Sequence, residues 1–539
     1  MLKTVEKYPV FTILFLVLIM LLPNLNSLSV TIMEARNFIT AREMIEDGNW
    51  LLTTMNGVAR YEKPPLPTWI TALSAFVFGI KNVFGYRLPA VIMLCMVGVF
   101  VHLLSKKIID NKLHSFYNGL IAITSFYIIG IIIEAPWDIY AHGFMLIGIY
   151  YLFDAYSKGG FLTIMLASFF VGCSVLSKGP VSLYALLLPF LISYSLVYNM
   201  SRKNSYKTVL VLILGGLIGG WWFLYVRVMD PKPFLEIATR ETSRWSSYNV
   251  KPFYYYWSFF TQSGLWTIPA FISLLFPYLK NKVNDKKAYR FSFYWTLIAV
   301  ILLSVIPEKK PRYLMPVLIP LSINIGFYIN YIIIHFKTIK SKGERIPIYF
   351  NFGLLSAIGT LFPVIGIILL KNDLSSISLI FILGAVLLFI IGLLMARFLY
   401  KEQLKKVFYL SILFLVVIMA AVIPAGNKMI LKNKDFNDMS LLKVETINGN
   451  IKVYYLDNIS PEMIWSFGDT ILKIEKKNGQ YNFPKEDTFG VLINNNDLIK
   501  QDLNFKVSKK TTYNLNTINK GSKKYKQRLV NHYYIFQKK

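Results

Sequence analysis

MEARNFITAREMIEDGNW (Met33–Trp50), GVARYEKPPLPTW (Gly57–Trp69) and FGYRLPA (Phe84–Ala90) lie in one long connection between the first two apolar runs of the chain. Connections between neighbouring spans are usually a few residues long. This one carries Glu34, Arg36, Arg42, Glu43, Glu46, Asp47, Arg60, Glu62, Lys63 and Arg87. Its spacing predicts a helix over Glu34–Met44, and Pro64-Pro65-Leu66-Pro67 predicts a stiff segment, because proline fixes φ. Long loops with structure of their own tend to carry function.

The runs around the loop set the class. Of 539 residues, 55% are hydrophobic and 16% charged, with a mean hydropathy of +0.48. A soluble domain carries about 25% charge. Thirteen candidate spans of about 20 residues fall near 9–27, 87–105, 116–134, 139–156, 160–177, 181–199, 208–228, 257–279, 291–306, 314–335, 348–370, 377–396 and 407–425. The fold class is therefore an α-helical polytopic membrane protein. The first run could pass for a signal peptide, but its length and the missing small-x-small site favour an uncleaved span.

The net charge of +29 does not call for nucleic acid. Placing the N-terminus in the cytoplasm puts Ser105–Lys112, Ser201–Lys207, Lys280–Arg290, Lys337–Arg345 and Arg397–Lys406 inside, and all are rich in Lys and Arg. That is the positive-inside pattern. The same parity puts the first loop, Glu134–Asp138, Lys178, Asp230–Tyr256, Glu308–Arg312 and the C-terminal segment outside. Beyond Gly426 the spans stop. IKVYYL (Ile451–Leu456), FGVLIN (Phe489–Asn494) and HYYIFQ (His532–Gln537) read as strands, and PEMIWSF (Pro461–Phe467) as a short helix. The domains expected are a membrane domain, 1–425, including the first outer loop 28–86, and an extracytoplasmic α/β domain, 426–539.

Cys95 and Cys173 both lie in apolar runs, so no disulfide framework organises the chain. The five histidines form neither HxxxH nor HExxH, which gives no preformed zinc pattern. Chemistry falls to carboxylates and cations at the outer membrane boundary. Glu34 could deprotonate a hydroxyl, or serve only as a favourable charge at a helix N-terminus. In RYEKPPLPTW, Arg60 or Lys63 could hold a phosphate and Glu62 a sugar hydroxyl or a metal; the bland reading is a turn with an internal ion pair. In EAPWDIYAH, Glu134 and Asp138 stand four residues apart at a membrane boundary, where ionisable groups are costly unless they face water or do work. Lys178 of SKGP could bind a lipid phosphate or merely snorkel. Lys309, Lys310 and Arg312 of EKKPRYLMP sit outside, against the positive-inside trend, and an anionic headgroup would explain them. No P-loop or GxGxxG motif is present, which disfavours a soluble nucleotide.

EARNFITAREM, GNW, RYEKPPL and FGYRLP, followed in order by APWD, LSKGP and KKPRYLMP, resemble the bacterial GT-C glycosyltransferases of the aminoarabinose lipid A transferase and protein O-mannosyltransferase superfamily. The resemblance covers residues 1 to about 425. It implies a GT-C fold and transfer of a sugar from a polyprenyl-phosphate donor to a lipid or protein acceptor on the extracytoplasmic face, usually with inversion. Inversion needs one base and a stabilised leaving group, not a close carboxylate pair. By resemblance, Glu62 matches the carboxylate of the YEKP loop, Asp138 an acidic residue of the second outer loop, and Lys178 with Lys309–Arg312 the phosphate-side cations. Relatives often begin the first loop with Asp-Glu, where this chain has Met33-Glu34, so the base is Glu34 or Asp138. A histidine of the aminoarabinose enzymes falls near Thr242, beside Glu241. Its loss weakens the case for a divalent metal, which stays open with Glu62 as a ligand. Substrate binding is expected of Arg36, Arg60, Glu62, Lys63, Lys178, Glu241, Lys309, Lys310 and Arg312. No other cofactor is implied. The partners expected are the lipid-linked donor, the acceptor and membrane lipids, with no nucleic acid, for a monomer in a bacterial inner membrane. A flippase for lipid-linked sugars is the alternative; it would be expected to show inverted repeats and broken helices at the midplane. A sensor with a ligand-binding outer domain would leave the charged first loop without a purpose.

Overall fold

The computed structural model describes residues 2–134, 136–369, 378–429, 433–477, 480–494 and 505–539. The chain forms two compact units. One holds Met1–Ser27, Tyr61–Pro67 and Arg87–Ala425; the other holds Leu28–Arg60, Thr68–Tyr86 and Gly426–Lys539.

The first unit is helical. Among the described residues eight helices are long and apolar enough to cross a membrane, or nine if Lys112–Thr124 and Phe126–Glu134, bent by 44°, count as one span. Shorter apolar helices cover Pro9–Asn24 and Leu183–Tyr198. Each of the thirteen expected runs has a helical counterpart, although the limits 370 and 377 lie outside the described residues. Besides the bent 116–134, one run falls into several short pieces. Residues 257–279 break into Phe259–Trp266, Thr267–Ser273 and Phe276–Leu279. Gly264 stands at φ 64°, a conformation that glycine adopts without a Cβ penalty, and it lies against Phe126, whose Cβ would be 2.7 Å from any Cβ added there.

The helix Phe161–Lys178 packs closely on Arg202–Met229. A Cβ on Gly219 would come within 2.7 Å of the Gly172 carbonyl oxygen, and one on Gly215 within 2.8 Å of Val171 Cγ1. Small residues four apart let two membrane helices approach backbone to backbone. The helix ends at Lys178, and Gly179 (φ 68°) turns the chain into Pro180. Two packed helices thus fix where Lys178 emerges.

In the second unit the helix Ile32–Glu46 begins with a capping box. Thr31 Oγ1 accepts from Glu34 N, and the Glu34 carboxylate accepts from Thr31 N at 3.0 Å, satisfying two amides that a helix start leaves open. A hairpin follows, β1 (Thr54–Met55) with β2 (Val58–Ala59). The stiff proline segment leads into a helix, Leu66–Phe78, because proline is tolerated in the first helical turn.

The C-terminal part adds β3 (Val453–Tyr455), β4 (Leu472–Lys473), β5 (Lys476–Lys477), β6 (Gln480–Tyr481), β7 (Thr488–Ile493), β8 (Phe505–Asn514) and β9 (Val530–Lys538). The main sheet runs β4-β3-β7-β9-β8. β3 is parallel to both β4 and β7; β9 is antiparallel to β7 and β8. The helix Pro461–Phe467 forms the β3–β4 crossover. Side chains alternate across β7 as a strand requires. Leu492 joins Met463, Ile464 and Phe467 on one face, while Phe489, Val491 and Ile493 join Leu456 and Phe536 on the other.

The sequence draws its domain boundary at 425/426, whereas the structure groups 28–60 and 68–86 with the C-terminal segment. The contacts explain the difference. Trp465 packs its ring against Phe38 at 5.2 Å and Tyr86 at 4.9 Å. Asn56 Nδ2 donates to the Ile471 carbonyl at 2.7 Å, and Ile471 N donates back to Asn56 Oδ1 at 2.8 Å.

Candidate active site

The membrane unit draws four distant pieces of sequence together: the YEKP segment, the start of the helix Pro136–Lys158, the end of Phe161–Lys178, and Glu308–Tyr313. The YEKP segment is held at its front end. Tyr61 OH donates to Asp230 Oδ2 at 2.6 Å, and Glu62 Oε1 takes Arg240 Nη2 at 2.7 Å. Arg240 lies on the helix Pro231–Ser247, within the segment Asp230–Tyr256 that the sequence reading places outside as a connection.

Asp138 is buried and paired through Oδ1 with Lys178 Nζ. His142 Nε2 lies 3.7 Å from the same oxygen, one turn along the helix, and Ser182 Oγ bonds His142 Nδ1 at 2.9 Å. Sequence reading missed His142 and Ser182. The i, i+4 spacing of Asp138 and His142 was the available signal.

The Tyr313 ring gathers cations. Lys178 Nζ lies 5.1 Å from its centroid, Lys310 Nζ 5.6 Å and the Arg312 guanidinium 5.7 Å. An aromatic face attracts cations within about 6 Å, which eases the crowding of three like charges. Glu308 Oε1 takes Lys310 Nζ at 2.5 Å and the Tyr313 hydroxyl at 3.2 Å. Tyr256 clips the loop by accepting from Lys310 N at 2.9 Å and donating to its carbonyl at 3.0 Å. Glu308 and Tyr313 were quoted in the sequence motif but not assigned to the site.

Lys63 is half-buried, and its ammonium interacts electrostatically with Lys178, Glu241, Asp138 and Glu62. Burial, reinforced by the Lys178 charge, pushes its pKa down to about 8. Lys178, Lys310, Glu62 and Glu241 each have an opposite charge at hand; Glu241 takes Arg244 at 2.7 Å. Lys63 and Arg312 form no ion pair among the described residues, and Arg312 Nε is buried without a hydrogen-bond partner there.

Lys309 stands apart from this group. Its ammonium donates to the carbonyls of Lys251 (3.0 Å) and Ile306 (2.6 Å), pinning the loop beside the Val250–Glu308 bridge. Glu34, Arg36 and Arg60 belong to the other unit. There Glu34 caps its helix, and Arg60 Nη1 donates to the Arg36 carbonyl at 2.5 Å and to Thr40 Oγ1 at 2.8 Å. The two candidate bases, Glu34 and Asp138, thus stand in different units. No group of three His, Cys, Asp or Glu side chains suited to a metal occurs among the described residues, so Glu62 gains no partner ligands.

The fold and this cluster define a polytopic membrane protein of the GT-C fold. ArnT from Cupriavidus metallidurans, solved bound to undecaprenyl phosphate, superimposes with a TM-score of 0.68 over 99% of this chain and 97% of its own, at 14% identity. The family model for dolichyl-phosphate-mannose-protein mannosyltransferase matches residues 62–222, the segment that holds Lys63, Asp138 and Lys178. Undecaprenyl phosphate-alpha-4-amino-4-deoxy-L-arabinose arabinosyl transferases are similar: that of Wigglesworthia glossinidia brevipalpis is 26% identical over 54% of this chain and 53% of its own, and that of Enterobacter sp. (strain 638) 26% identical over 58% and 57%. An uncharacterised Aquifex aeolicus protein is 26% identical over 64% of this chain and 70% of its own. The chain spans little more than half the length of the arabinosyl transferases it matches. The chain thus has the fold of ArnT and is similar in sequence to the aminoarabinose transferases and, over residues 62–222, to the protein mannosyltransferases.

Proposed function

We propose that this protein is a glycosyltransferase. It takes a sugar from a polyprenyl-phosphate donor and passes it to a lipid, such as a lipid A-like glycolipid, or to a protein. The carrying observation is that Lys63 and Arg312, which form no ion pair among the described residues, stand with Lys178 and Lys310, three of these four cations around Tyr313. Such a site has room in its charge balance for an anion, and a phosphate ester is the anion that the superfamily supplies. We place the reaction on the extracytoplasmic face of a bacterial inner membrane, with the N-terminus cytoplasmic, and we take the working unit to be a monomer.

The chemistry needs little else. The acceptor hydroxyl oxygen attacks the anomeric carbon, and the bond from that carbon to the phosphate oxygen breaks. The electron pair leaves with the phosphate, and the hydroxyl proton goes to a carboxylate. Lys63, Lys178, Lys310 and Arg312 stabilise the charge that develops on the leaving phosphate. Glu62, held by Arg240, faces the sugar hydroxyls. Glu241 supports the same wall. Lys309 shapes the loop rather than touching the phosphate. Arg36 and Arg60 brace the helix that carries Glu34. The base is Glu34 or Asp138.

Reconstitution with a polyprenyl-phosphate sugar, scoring release of polyprenyl phosphate, tests the proposal. Glu34→Gln and Asp138→Asn decide the base: the one that loses turnover while keeping donor affinity is it. A wild-type protein that binds the donor but neither transfers nor hydrolyses it, across lipid and protein acceptors, would sink the transferase reading and favour a lipid-linked sugar transporter.

A further inference from the structure

A cavity with a volume of about 590 Å³ lies at the other end of the membrane unit from Asp138. The helix Lys286–Val305 starts at it and leads to Glu308; Met315–His335 starts after Arg312 and ends at it. The broken span from Lys112 also starts there and leads towards Asp138. A 20-residue helix is about 30 Å long, so this cavity opens among the basic loops, a membrane thickness from Asp138.

Its walls divide by chemistry. Ile109, Val283, Phe327 and Ile334 give an apolar side, and Ile334 is half exposed, so the cavity continues onto the apolar outer surface. The polar side carries Lys282, Lys286, Lys287, Asp110 and Asp285. Two of these five charges are already engaged by an ion pair or a helix cap. Glu344 holds Lys282 at 2.7 Å, and Asp285 Oδ1 caps its helix by accepting from Ala288 N at 2.9 Å. Lys286 and Lys287 form no ion pair among the described residues; Lys287 rests 4.8 Å over the Tyr198 ring. Two helix N-termini, capped by Asn111 and Asp285, add positive ends of their dipoles. Asp110 is the exposed carboxylate that opposes them. His335, on the third wall, bonds the Tyr331 carbonyl through Nδ1 at 3.2 Å.

The side chain of His114 lines the cavity and is 3% exposed, with no hydrogen-bond partner for Nε2 among the described residues. Asn118 Oδ1, one turn deeper, has none there either. Both flank Gly326: a Cβ added there would fall 3.4 Å from His114 Nε2 and 1.6 Å from Asn118 Oδ1. Orphaned buried polar atoms call for an explanation. Here they stand beside unpaired lysines and an apolar wall open to the bilayer.

We infer that this cavity binds the phosphate headgroup of an anionic phospholipid of the basic, cytoplasmic-side leaflet. Lys286 and Lys287 meet the phosphate, Phe327 and Ile334 meet the glycerol and the first methylenes, and the orphaned polar pair lies below the headgroup. Basic recesses between membrane helices on that side suit such lipids. The site is separate from the sugar-transfer cluster and stands whether or not the protein is a transferase.

Native mass spectrometry of the delipidated full-length protein tests it, using phosphatidylglycerol, phosphatidylcholine and soluble glycerol 3-phosphate as probes. Phosphatidylglycerol is expected to be retained over phosphatidylcholine. Lys286→Gln/Lys287→Gln should lower its affinity roughly 25-fold, since each lysine near an anionic lipid contributes on the order of a fivefold gain. Lys63→Gln should leave it unchanged. Both lysines are exposed, so the variant folds, and an unchanged melting temperature checks that. Equal retention of the two lipids, or no change in the double variant, overturns the inference. Displacement of phosphatidylglycerol by equimolar glycerol 3-phosphate overturns the lipid and leaves a soluble phosphate in its place.

Discussion

Replacing Asp138 by Asn strips a buried ammonium of its carboxylate. The side chains of Lys178 and Asp138 are 8% and 4% exposed, so neither charge can recover hydration without opening the helix ends. Breaking one side of a buried pair costs about 3–5 kcal/mol, most of it the penalty on the charge left behind. Lys178→Met does the converse to Asp138, softened by His142 at 3.7 Å. Removing both charges together removes the penalty as well. Asp138→Asn/Lys178→Met should therefore cost much less than the sum of the two single changes, with a coupling of about 2–3 kcal/mol. The assay is thermal unfolding of the purified protein in detergent. A chain of two units need not melt in one step, so the readout is rank order: the double variant melts above the Asp138→Asn single. A double variant that melts below both singles would show additive losses and refute the pairing. Stability reads the Asp138–Lys178 pairing itself, whether or not Asp138 is also the base.

Three further outcomes follow from the same geometry. With Lys63 depressed to about 8, the cation proposed to bind the phosphate is charged at neutral pH and lost as pH rises through 8; affinity for polyprenyl phosphate should fall about tenfold per unit above it, and Lys63→Arg, which does not titrate there, should flatten that profile. Glu34→Gln keeps the capping box, since Gln serves at the same position, and should leave stability within about 0.5 kcal/mol, whereas Glu34→Ala costs about 1 kcal/mol; a stable but inactive Glu34→Gln would assign the base, and an active one would remove Glu34 from the chemistry. Trp465→Ala deletes the ring between Phe38 and Tyr86 and should cost about 3–5 kcal/mol, read as proteolysis of both 28–60 and the C-terminal segment; cleavage confined to one of them would argue against a shared core.

The spans were legible because an apolar run of bilayer length has few other uses. The run 257–279 misled for the same reason: hydropathy does not register Gly264, which kinks it, or Pro277, which opens its last short helix. The helix Leu66–Phe78 was hidden by its own start, since Pro64, Pro65 and Pro67 read as a loop unless the first-turn tolerance for proline is applied. In the C-terminal part, β7, β9 and the helix Pro461–Phe467 announced themselves by apolar and aromatic residues. β8, FKVSKKTTYN, did not. It is an edge strand with exposed lysines, and charge on an edge strand is how sheets avoid further pairing.

The site was legible as a list of charges and not as a set of pairs. Sequence spacing says that Lys178, Lys310 and Arg312 emerge at membrane boundaries, and topology says that they share a face. It cannot say that Asp138 answers Lys178, that Glu308 answers Lys310, or that Lys309 turns back to two carbonyls. Those assignments decide which cations remain for a substrate. Lys63 is the one whose placement depends most on the chain itself. Only Tyr61–Pro67 of the first loop belongs with the membrane unit, while the residues on either side belong to the other. Tyr61 and Glu62 tie the front of this segment to Asp230 and Arg240, and three prolines stiffen the rest. A proline-fixed segment loses little conformational entropy on ordering. The backbone therefore holds the ammonium in place, and its depressed pKa records its burial and the Lys178 charge beside it, the setting in which the proposed phosphate would be welcome.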